Sequence, residues 1–331
     1  MNKIAVVILN WNGVKLLEQF LPSVVQYSKE ATIYVADNAS TDESVAYVKT
    51  NFPSVNIIEN KGNFGYAKGY NEALQFVEEE IYALINSDIE VTENWLQPIL
   101  DLFEKEQETA IIQPKILDFK NKVYFEYAGA AGGFIDKYGF PFCRGRIFET
   151  LEKDNGQYND TTPIFWASGA CFFIRKAVYR DVKGFDADFF AHQEEIDLCW
   201  RAFNKGYVAK YCGTSTVYHV GGATLEAGNP KKTYLNFRNS LWMMLKNLPK
   251  GQLFPVLFIR LFLDGIAGIR FLTQGKPKHL WAILKSHFDF YYHIFRFLGK
   301  RDVKQSQNYF KINSIVYRYY VKSSKIFDVN F

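Results

Sequence analysis

Along the first third of the chain, short unbroken apolar runs alternate with longer segments whose apolar residues recur at helical spacing. Ile4–Leu9 is continuous and rich in β-branched residues, as a strand buried on both faces should be. Val14 to Val25 carries its apolar residues at helical spacing and predicts a helix. Thr32–Ala36 predicts a second strand, and Ser40 with Glu43 three residues on forms a capping-box signature that opens another helix. Strands at Val55–Ile58, Ile81–Ile85 and Ala110–Leu117 follow, with helices from about Tyr66 to Glu80 and from Trp95 to Lys105 between them. Strands alternating with helices predict an α/β fold around a mostly parallel, doubly wound sheet.

Each of the first strands runs into a polar cluster: Asn10 and Asn12, Asp37 and Asn38, Asn60 and Asn63, Asn86 and Asp88. In such sheets ligands bind beyond the carboxyl ends of the strands. One such cluster is ordinary turn chemistry, but four on one edge argue for a shared ligand. Asn86-Ser87-Asp88 offers an amide, a hydroxyl and a carboxylate, a set suited to a hard divalent cation that also grips a diphosphate. Asp37 and Asn38 suit a nucleobase edge or ribose. Gly62 and Gly65, beside Asn63, either shape a turn or let backbone approach a ligand closely. The first loop reads Asn10-Trp11-Asn12-Gly13, without the G-x-G-x-x-G of dinucleotide enzymes, and no phosphate-binding G-x-x-x-x-G-K-[ST] occurs.

Composition adds an asymmetry. The chain is 48% apolar and 22% charged, as a globular protein is, with a net charge of +4. Residues 231–331 hold 18 Lys and Arg against 4 Asp and Glu, so the remainder carries a net negative charge. That split predicts a folded body, residues 1–240, and a basic, aromatic helical region, residues 241–331, directed at something anionic. Leu253 to Leu272 has the length to cross a bilayer, but Arg260, Asp264 and Arg270 interrupt it. Each would cost roughly 2.5–3.5 kcal/mol near a helix centre, so an interfacial helix or a helical subdomain packed on the sheet is expected instead. No nucleic-acid motif accompanies the basic region, and no nucleic-acid partner is expected. Ile4–Leu9 is too short for a signal-peptide core, and Cys143, Cys171, Cys199 and Cys212 form no C-x-x-C pair, so reduced cysteines in a cytoplasmic setting and no zinc site are expected.

Further along, Gln193-Glu194-Glu195-Ile196-Asp197 places acids at the start of a predicted helix, where the helix dipole favours them. Pairing of these acids with Arg201 would make them structural. A free one would serve as a base.

Taken in order, VADNASTD (Val35–Asp42), NKGNFGYAKGYN (Asn60–Asn71), LINSD (Leu84–Asp88), WASGACFFIRK (Trp166–Lys176), GFDADFFAHQEEIDLCWRA (Gly184–Ala202) and VYHVGGAT (Val217–Thr224) resemble the inverting family 2 glycosyltransferases. The subgroup they most resemble is the rhamnosyltransferase-like enzymes of bacterial surface polysaccharide assembly. The resemblance implies a GT-A fold, a UDP- or dTDP-linked sugar donor, Mg²⁺ or Mn²⁺, and a glycan or lipid-linked hydroxyl acceptor at the inner face of the plasma membrane. Carried over by position, Asp37 resembles the nucleobase-contacting acid, with Asn10 and Asn38 beside it. Asp88 resembles the metal ligand of the D-x-D motif, Asn86 stands where its first Asp would be, and His219 resembles the His completing the metal or diphosphate site. The family's base falls on Glu195, a Glu in place of the usual Asp, with Glu194 next to it. Ser168 and Gly169 border the acceptor in this alignment, and Trp166 is either a sugar-stacking face or core. Two other classes stay open from the residues alone. A sugar nucleotidyltransferase would need a basic loop after the first strand, which Asn10–Gly13 lacks. A non-catalytic glycan- or lipid-binding protein would have no use for Asp88, Glu195 and His219.

Overall fold

A computed structural model of the protein describes residues 3–221, 228–302 and 304–328. Strand β1 (Ile4–Asn10) leads into α1 (Val14–Tyr27), β2 (Ala31–Asp37), α2 (Ser44–Asn51), β3 (Asn56–Glu59) and α3 (Gly65–Ala73). Then come β4 (Ile81–Asn86), the short β5 (Ile89–Val91), α4 (Gln97–Lys105) and the long β6 (Thr109–Asp118). The sheet order β3-β2-β1-β4 is parallel throughout, with Asn10 level with Asp37 and Leu9 level with Asn86. Alternate residues of these strands feed two cores. Ile4, Val6 and Ile8 meet Leu17, Leu21 and Phe103 of the helices on one side, while Ala5, Val7 and Leu84 face Tyr70 and Phe172 on the other. Burial on both faces is why these strands read as unbroken apolar runs.

Three expectations need correction at this level. The helix expected to reach Glu80 ends at Ala73, followed by a 3₁₀ turn at Leu74–Phe76. Beyond it, Lys176 Nζ donates to the carbonyls of Val77 and Glu78, which a continuing helix would have claimed. The Ser40–Glu43 capping box does not form. The Ser40 hydroxyl turns back to Asp37, and Asp42 caps α2 by accepting from the N–H and hydroxyl of Ser44. Lastly, the sheet is parallel only over its first four strands and mixed beyond them.

The mixed half is built by a small antiparallel sheet and the strands that follow it. β7 (Gly133–Ile135), β8 (Pro141–Cys143), β9 (Arg146–Ile147) and β10 (Thr150–Leu151) form that small sheet. β11 (Thr161–Ile164) pairs antiparallel with the edge of the main sheet. β12 (Cys171–Arg175) then runs antiparallel between β4 and β6, with Cys171 level with Ile85. An antiparallel β12 begins where β4 ends, so the loop before it joins the carboxyl edge.

α5 (Lys176–Asp181), α6 (Glu194–Asn204) and β13 (Val208–His219) complete the body. After them come α7 (Pro230–Asn247), α8 (Lys250–Thr273), α9 (Pro277–Tyr292), α10 (Ile294–Leu298) and α11 (Ile315–Tyr320). The boundary expected at residue 240 falls inside α7, and the same core that holds Leu84 and Phe172 continues through Trp242, Phe297 and Ile315. The chain's last part closes over the small sheet. Asp136, which is buried, accepts from the backbone of Tyr138, Phe140 and Ile315, and Tyr309 stacks on Trp200 at 4.9 Å. The C-terminal helices thus pack on the body through a shared core.

Candidate active site

The parallel register sets Asn10 beside Asp37 at the carboxyl edge. Asn10 Nδ2 donates to Asp37 Oδ1 at 2.9 Å, and the Ser40 hydroxyl and N–H donate to the two oxygens of the same carboxylate at 2.6 and 2.8 Å. Asn10 Oδ1 is buried with no partner, an acceptor held ready at the edge. Gly13 lies so close that a Cβ there would sit 2.5 Å from Asn10 Oδ1 and 3.7 Å from Ser87 Oγ, which packs the first loop onto the end of β4.

Other members of the expected donor set hold the edge together. Buried Asn38 donates to the carbonyl of Gly65 and accepts from Asn60, whose amide also donates to the Gly69 carbonyl. Asn63 is exposed and closes a turn by accepting from the N–H of Gly65. Gly62 makes no close approach; a Cβ there would meet only the Phe64 ring at 3.4 Å. The glycine this loop requires is Gly65, whose φ is +71° and whose Cβ would strike Phe190 at 2.7 Å.

Asn86 ends β4, Ser87 and Asp88 stand just past it, and β13 brings His219 to them, its backbone level with Ile89. His219 Nε2 is 3.2 Å from Asp88 Oδ1 and 3.5 Å from the Asn86 amide nitrogen. On the far side of the ring, Nδ1 is 3.3 Å from Glu126 Oε2. Burial would hold the imidazolium down, but the Glu126 and Asp88 carboxylates outweigh it and push His219 up to about 10. Asp88 Oδ1 and His219 Nε2, 3.2 Å apart, would both face one divalent cation, which would displace the proton that Nε2 holds toward Asp88. Glu126 then takes the outer place, orienting the ring through its other nitrogen. Among the described residues no third His, Cys, Asp or Glu converges on that point. Gly222 to Thr224, the end of the VYHVGGAT block, lie outside the described residues.

The acidic start of α6 comes to the same edge through the loop before β12. The N–H of Asn86 donates to the Ala170 carbonyl, Tyr66 donates its hydroxyl to the Gly169 carbonyl at 2.6 Å, and a Cβ on Gly169 would lie 3.7 Å from Glu195 Cβ. The acids then divide by role. Asp197 is fully buried and accepts from Arg201, Lys246 and Asn247, so the structural reading holds for that residue. Glu194 and Glu195 each keep a buried oxygen without a partner. Glu195 is half-buried; burial pushes it up to about 7, against the N–H groups at the helix start. Glu194 lies deeper, and burial together with the neighbouring Glu195 charge raises it well above the carboxylate range. Burial with Lys232 nearby lowers His192 to about 4, leaving it neutral.

Trp166 and Ser168 do not face this space. The Trp166 indole is buried against Gly133 and donates to the Phe134 carbonyl, so it belongs to the core. Ser168 is a buried strut that bonds Ala128, Ala170 and Gln113. Of the residues expected at the acceptor, Gly169 and Glu194 remain at the site.

The loop ahead of α6 is held in an unusual shape. Phe190, His192 and Gln193 all have φ between 63° and 71°, sparsely populated for residues with a Cβ. Buried Asn239 of α7 pins it by donating its amide to the carbonyls of Phe189, Ala191 and His192 at 3.0, 2.9 and 2.7 Å. Asn239→Ala should therefore cost about 1–3 kcal/mol in denaturant melts, because the loop's carbonyls lose a buried donor. Turnover should fall with it while nucleotide affinity holds.

A strand order 3-2-1-4 with antiparallel β12 inserted, and acids gathered at one carboxyl edge, define a GT-A type fold. A mannosyltransferase from Pyrobaculum calidifontis, solved in complex with GDP-Man and Mn²⁺, shares this fold with a TM-score of 0.53 and 14% identity, over 88% of this chain and 74% of that one. Residues 5–183 match the family model described as glycosyl transferase family 2, and the chain belongs to that family. Its relatives include the N-acetylglucosaminyl-diphospho-decaprenol L-rhamnosyltransferase of Mycobacterium tuberculosis, 23% identical over 68% of this chain and 81% of the relative. A low-salt glycan biosynthesis hexosyltransferase of Haloferax volcanii is 23% identical over 72% of this chain and 74% of its own. Family membership decides for a glycosyltransferase over a nucleotidyltransferase or a non-catalytic binder.

Proposed function

We propose that the chain is an inverting, metal-dependent glycosyltransferase of cell-surface glycan synthesis. In this reading it takes a sugar from a UDP- or dTDP-linked donor and places it on a hydroxyl of a lipid-linked acceptor at the cytoplasmic face of the membrane. The observation that carries it is Glu195: a half-buried carboxylate with one free oxygen, poised near neutrality and joined through Gly169 and Ala170 to the end of the Asp88 strand. A base poised near the working pH is what transfer to a hydroxyl needs.

The acceptor oxygen attacks the anomeric carbon from the face opposite the diphosphate. Its proton passes to Glu195, and the bond from that carbon to the β-phosphate oxygen breaks, so one displacement inverts the centre. Asp37 and Asn10 hold the nucleoside at the ends of β2 and β1. Asp88 and His219 would hold Mg²⁺ or Mn²⁺. When bound, the cation neutralises charge on the departing nucleoside diphosphate.

The test is transfer or donor hydrolysis across a panel of UDP- and dTDP-sugars with Mg²⁺ or Mn²⁺, repeated with chelator. Turnover of at least one donor that chelation abolishes is the expected result. A chain that turns over none of them, or turns one over equally well in chelator, contradicts the proposal.

A further inference from the structure

The outer face of α8 and most of α9 present to solvent a surface that a soluble helix pair would bury. On α8, Phe254, Phe258, Phe262 and Ile269 are 62–80% exposed, and Phe254 stacks on Phe258. On α9 and α10, Trp281, Phe288, Tyr292 and Phe295 are 65–84% exposed. Exposed apolar patches of this extent mark interaction sites. Two of the three charges that interrupt α8 point the other way, while exposed Arg270 lies over the Tyr320 ring. Arg260 and Asp264 are buried and paired at 2.7 Å, with His287 of α9 on Asp264 and the carbonyls of Tyr138 and Gly139 on Arg260. At 24 residues α8 is long and apolar enough to span a bilayer, but this pairing fixes its polar side to the body. It is thus a helix with its polar side inward and its apolar side outward, built to lie along a surface.

The rim of that surface is basic. The N-termini of α7 and α9 meet at an open cavity of about 670 Å³, walled by Lys231, Lys278 and Lys285 with Tyr234 and Trp281. Among the described residues, none of the three lysines has a carboxylate within ion-pair distance; Lys285 lies over the Tyr234 ring and Lys231 over Phe190 of the loop ahead of α6. Lysines around an aromatic wall, beside an apolar face, complement phosphates at the edge of a hydrocarbon layer.

We propose that α8, α9 and α10 dock the protein flat on an anionic phospholipid bilayer, their aromatic side chains entering the headgroup boundary. Lys231, Lys278 and Lys285 seat a lipid phosphate in the cavity. The proposal rests on the lipid-linked acceptor reading, and Lys231 against Phe190 sets the docked phosphates next to the loop that precedes Glu195.

The experiment is flotation of the full chain with vesicles of phosphatidylcholine alone or with phosphatidylglycerol added, at low and high salt. Binding that needs phosphatidylglycerol and weakens with salt is expected, with a blue shift of tryptophan fluorescence that Trp281→Phe reduces. Reversing two basic groups, in Lys278→Glu/Lys285→Glu, should lower partition to the anionic vesicles by about thirtyfold or more. Phe254→Ser/Phe258→Ser/Phe262→Ser alters only exposed positions and should abolish flotation, with UDP-dependent thermal stabilisation checking the fold. A wild-type chain that never floats with phosphatidylglycerol at low salt overturns the proposal, and so does a triple serine variant that floats like wild type. Transfer to a water-soluble acceptor without flotation removes the docking surface and leaves the enzyme reading intact. Flotation without turnover of any donor supports the surface and removes the enzyme reading.

Discussion

Glu195→Gln is expected to lower turnover by about 10²–10⁴-fold, the usual contribution of a positioned general base, with donor affinity nearly unchanged. Glutamine keeps the shape of the side chain beside Gly169 and loses only the capacity to take a proton. The pH profile gives an independent reading. With Glu195 pushed up to about 7, the working carboxylate forms only as pH rises through that value. Wild-type kcat/KM should then climb about tenfold per pH unit below 7 and flatten above it, and the variant should lose that limb. Stability moves the opposite way. A carboxyl whose pKa is raised on folding binds its proton more tightly in the native state, so its contribution is present below the unfolded value and lost as pH rises through the folded one. A shift from 4.5 to about 7 corresponds to about 3 kcal/mol at most, so Glu195→Gln should melt higher than wild type at pH 8 and match it near pH 4. If Glu194→Gln is the crippled variant and Glu195→Gln stays active, the base is the neighbouring residue.

Much of this was legible because the first strands are buried on both faces. Their apolar runs are unmistakable, and each stops where polar residues reach the carboxyl edge. The register then does what the runs promise, setting Asn10, Asp37 and Asn86 in adjacent positions. What the sequence concealed is long-range. Glu126 lies in no recognisable motif and acts only because β6 and β13 bring it to the far nitrogen of His219. Asn239 reaches back to a loop whose left-handed residues have no sequence signature. Of the two readings the sequence leaves for Trp166, its side chain takes the core one, and Ser168 likewise turns inward, while Gly169 lies against Glu195. From the residues alone the three acids of α6 read alike, and only the family resemblance sets Glu195 apart. Helical spacing puts Arg201 four residues past Asp197, and α7 adds Lys246 and Asn247 to that residue, which leaves the other two free.

Asp88→Ala should lower turnover about a thousandfold or more, since a cation opposing charge on a leaving diphosphate contributes several kcal/mol to the transition state. The substitution removes one of the two side chains that would hold the cation. It leaves the fold little changed, because His219 keeps Glu126 on its other nitrogen and the Asp88 carbonyl still accepts from the N–H of Val220. Mn²⁺ binding, followed by electron paramagnetic resonance with UDP present, should weaken in Asp88→Ala and His219→Ala alike, a readout that needs no catalysis. Glu126→Gln separates holding from orienting. It leaves both proposed ligands in place but removes the charge that fixes the His219 ring, so Mn²⁺ affinity should drop by about 10–100-fold, less than for loss of a ligand. Equal Mn²⁺ affinity in wild type and Asp88→Ala, or full turnover by Asp88→Ala in chelator-treated buffer, would take the cation away from this strand end. Catalysis would then rest on Glu195 and on whatever donors meet the diphosphate directly.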